Sequence, residues 1–215
     1  KQASNAYVAT AALILATIGR EESGVPLMEA IDKAEDVPRA IIARELPKLP
    51  KSPETLKAFQ NAFEKTSLGL SLPPAGANAR ESLLDSFPTF FDASLVPWLL
   101  KVADTTKGDE TDVAGFKETA FAAVLKVAKA DQMADIEKFG GQKSLGADGK
   151  MSTVGKALES EMAQTKALLA ACGDKVECYL AKLVDPAAQD DKKTQFTGIK
   201  AIYMVGVLGS PDVRG

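Results

Sequence analysis

The sequence predicts an all-α chain made of stacked antiparallel helical hairpins. Apolar residues recur at steps of three and four, the repeat of one helix face. Strict alternation over a strand length is absent. Helix-starting and helix-closing residues fall in the gaps between the apolar stripes.

Taken in order, the first pair is expected at 6–18 and 24–35. Ala6 to Ile18 is an apolar run of buried-helix length, and Gly19 follows where a left-handed closing residue is wanted. The second pair is expected at 38–47 and 53–65. Its second helix opens with Ser52-Pro53-Glu54: a capping hydroxyl, a proline in the first turn, then a carboxylate near the positive helix end. The third pair is expected at 79–91 and 94–103, with Ser94 as a possible cap and Pro97 tolerated in a first turn. Phe87, Phe90 and Phe91 precede Trp98, the only tryptophan, and together suggest one aromatic-rich core layer.

The fourth pair spans 113–129 and a short 131–138, with the stripe Phe116, Ala120, Phe121, Val124, Leu125 and Ala128. The fifth spans 153–171 and 175–184. Its stripe runs through Leu158, Met162, Thr165, Leu169 and Cys172 to a closing Gly173. A last helix at 193–208 carries Phe196, Ile199, Tyr203 and Gly206, then Gly209. Three segments read as loops: Leu68 to Asn78 with Pro73-Pro74, the charged stretch Asp104 to Asp112, and Lys138 to Thr153 with Gly140-Gly141, Gly146 and Gly149. The last is long for a connection inside a compact domain and is expected to be a flexible loop at about 138–153.

Composition excludes several chemistries. The net charge is −3, and Lys48, Lys51 and Lys57 are interleaved with Glu45 and Glu54, so no basic stripe marks a nucleic-acid surface. No apolar run reaches the ~18 residues of a membrane span. The chain contains no histidine, so it cannot supply a Ser-His-Asp triad or a His-ligated metal by itself. No cofactor and no catalytic residue is expected. Gly146 to Met151 looks like a phosphate loop but fails: Met151 stands where a Ser or Thr must reach magnesium, and Ser144 where the first glycine belongs. Asp185, Asp190 and Asp191 lack the ligand spacing of a calcium loop.

Cys172 and Cys178 are the sharpest local feature. Gly173-Asp174 turns the chain between them, and such a reversal brings Cα atoms within the ~5–6 Å of a disulfide. The bridge would staple the two helices of one hairpin. The alternative is a pair of buried free thiols acting as small hydrophobes. A bridge implies an oxidising compartment, periplasmic or extracellular.

Weak internal repeats recur. Ile18-Gly19 precedes Val25-Pro26-Leu27, and Val96-Pro97-Trp98-Leu99 repeats the second phrase. Val184-Asp185-Pro186 and Pro211-Asp212-Val213-Arg214 follow. Gly173 and Gly209 are 36 residues apart, and Pro26 and Pro97 are 71 apart, two such periods. These phrases resemble the HEAT-repeat family in its short bacterial form. That family has an alanine- and leucine-rich first helix, a Leu-Gly turn, Val-Pro-x-Leu opening the second helix, then Asp-Pro and often Asp-Val-Arg. The match is clearest at residues 8–31 and 172–215, fair at 94–103 and poor between, where the glycine-rich stretch breaks the period.

The resemblance implies one HEAT-like α-solenoid over 1–215, in which neighbouring hairpins share a core that none could bury alone. Ser210-Pro211-Asp212 reads as another helix start, so the chain is expected to continue beyond residue 215 or to have that end covered by a partner. The implied function is a non-catalytic scaffold that binds another protein. The alternative is a structural subunit of a larger envelope or extracellular assembly. A HEAT-type enzyme such as a lyase is less favoured, because no residue pattern here supports it.

Overall fold

In the computed structural model, residues 2–18, 21–72, 77–146, 148–184 and 195–209 are described. The expected closing glycine at Gly19, the Pro73-Pro74 pair, Asp185-Pro186, the acidic run Asp190-Asp191 and the helix start at Ser210-Pro211-Asp212 lie outside them. The described residues form eleven α-helices and two short antiparallel hairpins. The chain divides into two compact units, Lys1–Phe90 and Phe91–Gly215.

The first unit holds α1 (Gln2–Ile18), α2 (Glu21–Lys33), α3 (Asp36–Ala43), α4 (Pro53–Lys65) and α5 (Ala79–Ser86). Its hairpin pairs β1 (Ser71–Leu72) with β2 (Ala77–Asn78). Eight-residue α3 packs against α1, α2, α4 and α5. It can do so because Ala40, Ile41, Ile42 and Ala43 are all buried, the two alanines permitting close approach. Around it lie Ile31, Leu46, Phe59, Phe63, Leu83 and Leu84, all almost fully buried. Phe59 meets Phe90 edge-on at 4.8 Å between ring centroids.

The start signals at Ser52-Pro53 act as expected: α4 begins at Pro53 and the Ser52 hydroxyl accepts from the Thr55 N–H at 3.1 Å. Pro26 does not open its helix. Helix α2 begins at Glu21, leaving Pro26 inside it, where the ring removes one internal hydrogen bond.

The second unit holds α6 (Val96–Thr105), α7 (Glu110–Val127), α8 (Met133–Gly140), α9 (Glu159–Cys172), α10 (Val176–Leu183) and α11 (Gln195–Leu208). Helix α7 packs against α6, α8, α9 and α11. Its buried set covers both the expected stripe and Ala123 and Val127, and a helix buried on most sides belongs at a centre. Pro97 lies in the first turn of α6 as expected, but no side chain caps α6; Asp92 instead caps the 3-10 turn Ala93–Leu95 before it, accepting from the Ser94 N–H at 3.0 Å. Trp98 is half-buried rather than in the core.

Described residues of the segment expected as a flexible loop carry regular secondary structure. Helix α8 runs to Gly140, and β3 (Lys143–Leu145) then pairs antiparallel with β4 (Met151–Thr153), Ser144 opposite Ser152. One glycine serves contact rather than freedom: a Cβ on Gly140 would lie 2.8 Å from the Phe121 ring. The chain returns to the same place when the Gly155 N–H donates to the Gly140 carbonyl at 2.9 Å.

Candidate functional site

Three features of the second unit bear on function. The first is the α9–α10 hairpin. Cys172 ends α9, Cys178 stands in the first turn of α10, and the sulfurs lie at bonding distance with the Cα atoms 5.4 Å apart. Gly173 closes α9 at φ +54°, a left-handed conformation that glycine adopts without a Cβ clash. The Tyr179 hydroxyl donates to the Gly173 carbonyl at 2.6 Å, so the turn is held from both sides. Burial, and then the nearby Asp174 carboxylate, push the Tyr179 phenol above its usual range.

Beyond the turn, α10 packs closely on α11. Apolar side chains remain exposed here: Leu180 (42%) on α10 and Val184 (78%) just past its end, four residues apart, and Ile199 (36%) and Ile202 (55%) on α11, three residues apart. Each spacing is that of one helix face. The buried side of α11 is instead Lys200, Ala201, Met204 and Gly206. The expected stripe of Phe196, Ile199, Tyr203 and Gly206 is therefore rotated. Helix α11 is apolar nearly all round, so periodicity could not choose a face. The small residues Ala201 and Gly206 choose it, by admitting close neighbours.

The second feature follows from that rotation. Lys200 is completely buried, and its ammonium donates to the Ala128 carbonyl at 2.5 Å, just past the C-terminal end of α7. A cation at a helix C-terminus is favourable, but burial alone pulls this amine down from 10.5 to about 7. Sequence reading missed it, because a lysine within an apolar helix is ordinarily expected to reach solvent.

The third feature is an open groove of about 270 Å³ between α6 and α8. Leu100 and Phe139, both buried, form its apolar floor with Pro97 at the edge. Each helix adds one lysine and one aspartate three residues apart: Lys101 with Asp104, and Asp135 with Lys138. Gln142 donates to Asp104 Oδ1 at 2.9 Å, and no ion pair between charged side chains involves these four residues among the described residues. The i, i+3 charge pairs are visible in the sequence. Their convergence from helices some thirty residues apart is not.

The phosphate-loop lookalike has another use for its backbone. The Gly146 N–H donates to the Lys150 carbonyl at 2.8 Å, the Gly149 N–H to the Gly146 carbonyl, and the Lys150 N–H to Asp148. Those donors close the β3–β4 turn and do not face a ligand. Among the described residues no three Asp, Glu or Cys side chains converge as a metal cluster, and no helix is long and apolar enough to cross a membrane.

No protein-family model matches this chain, and neither a curated protein nor a solved structure is significantly similar to it.

Proposed function

We propose that this chain is a non-catalytic scaffold that binds another protein through the outer face of the α10–α11 hairpin. The observation that carries the reading is the set of large apolar side chains left in water there, Leu180, Val184, Ile199 and Ile202. Scattered single hydrophobes need no explanation, but three on two directly packed helices, with a fourth at the end of one of them, are the kind of surface that partners cover. The adjacent cysteine pair would tie the start of α10 to the end of α9, and it fits an oxidising compartment, periplasmic or extracellular.

A HEAT-like stack is the architecture that best accommodates this role. Consecutive helices pack against each other in α1–α2, α6–α7, α7–α8 and α10–α11. The packing of α7 on α11 makes the second unit more closed than a stack with nearest-neighbour contacts alone. A permanent subunit of a larger envelope or extracellular assembly would use the same face and differ only in never releasing its partner.

The test is cross-linking in the native source, with purification free of reductant, comparing the natural chain with Leu180→Asp and Ile202→Asp. Both side chains are exposed, so the variants should fold. Recurrent links from α10–α11 to one protein, lost in the variants, support the scaffold. Links that persist unchanged, or no reproducible partner, overturn it.

A further inference from the structure

The groove between α6 and α8 is separate from the apolar face of α10–α11 and does not depend on the scaffold reading. Its volume, about 270 Å³, falls just below the ~300–1,000 Å³ of pockets for drug-sized ligands. Any occupant is therefore small. Its floor, Leu100 and Phe139, asks for an apolar body. Its rim offers both signs of charge from both helices: Lys101 and Lys138 as ammonium donors, Asp104 and Asp135 as carboxylate acceptors. A ligand of one charge would gain from two rim groups and be repelled by the other two. A ligand carrying a carboxylate and an ammonium a few bonds apart can place each charge beside a rim group of opposite sign.

We propose that this groove binds a zwitterionic α-amino acid with an apolar side chain. The carboxylate is held by Lys101 or Lys138, the ammonium by Asp104 or Asp135, and the side chain lies on Leu100 and Phe139. Gln142 already donates to Asp104, which orients that carboxylate and leaves a lone pair for the ligand's N–H. The rim is open to water, so each ion pair contributes modestly and the complex is weak and readily reversible.

The experiment is a two-dimensional amide NMR titration of the full chain with L-leucine, N-acetyl-L-leucine and L-leucinamide. The two analogues lack, respectively, the ammonium and the carboxylate. Leucine is expected to give saturable shifts at Leu100, Phe139 and Gln142, and each analogue to bind about two- to fivefold more weakly. Lys138→Gln and Asp135→Asn should weaken leucine by a similar factor. Both replace exposed side chains, and if either variant misfolds the analogue series still decides. No saturable shift by about 10 mM leucine, shifts centred elsewhere, or equal binding of all three compounds overturns the proposal.

Discussion

Replacing Lys200 with methionine should make the second unit more stable at neutral pH and flatten its response to alkali. The amine is fully buried, and burial lowers its pKa from 10.5 to about 7. The unfolded chain therefore binds a proton below 10.5 that the folded chain accepts only near 7. Between those values the unfolded state holds more protons, so stability rises with pH. This contribution is complete above 10.5 and is lost as pH falls to about 7. At ~1.4 kcal/mol per pH unit, the gap is worth about 5 kcal/mol.

Methionine removes that burden but leaves the Ala128 carbonyl without its donor, which costs about 1–3 kcal/mol. The net expectation is a gain of about 2–4 kcal/mol at pH 7, shrinking and then reversing towards pH 10. Trp98 lies in the same unit as Lys200 and is the only tryptophan, so urea unfolding followed by its fluorescence reports that unit. The comparison is made at several pH values from 6 to 10. Other titrations cancel in the difference between the two proteins. A difference that stays constant across this range, or a variant much less stable at pH 7, would refute the reasoning.

Further expectations follow from single contacts. A Cβ on Gly206 would lie 2.2 Å from the Phe91 ring, which sits at 5.9 Å from Tyr203. Gly206→Ala should therefore lose about 1–3 kcal/mol by overpacking, despite alanine's better helix propensity, and a raised urea midpoint would contradict this. The Cys172–Cys178 link closes a loop of only six residues' separation, so its reduction should lower stability by about 2 kcal/mol in the chain-entropy view. Intact-mass analysis without reductant first checks the link itself, and two free thiols in native material would remove it.

In the first unit, the Asn78 side chain accepts from the Arg80 and Glu81 N–H groups and donates to the Leu68 carbonyl. Asn78→Ala should lower thermal stability by about 1–2 kcal/mol, read by far-ultraviolet circular dichroism, and an unchanged midpoint would show that these bonds add nothing.

Local signals carried most of the helical map. Ser52-Pro53 starts α4, Gly173 closes α9, and Phe116 to Ala128 is buried as one continuous stripe. Each of these depends on neighbours within a turn or two. What could not be read depends on distant partners. Ser94 does not cap α6 because a 3-10 turn at Ala93–Leu95, itself capped by Asp92, takes up that stretch and moves the helix start to Val96. Gly140 reads as slack along the chain, but Phe121, some twenty residues earlier, lies against it. Lys200 is buried because α7 ends against it, and no pattern along α11 announces that neighbour. The four rim charges of the α6–α8 groove were visible as residues but not as a group, since only tertiary packing brings two helices together.

The central placement of α7 has a consequence for how the second unit opens. A surface helix can peel away while the rest holds, but α7 touches α6, α8, α9 and α11 and cannot leave without loosening all of them. Its amide hydrogens around Phe121 and Val124 should then be the last in the unit to exchange with solvent, at a rate set by complete opening rather than by local fraying. Those few amides make α7 a built-in clock for the unit. Any bound partner or ligand that stabilises the folded state would slow it, wherever on the unit it docks.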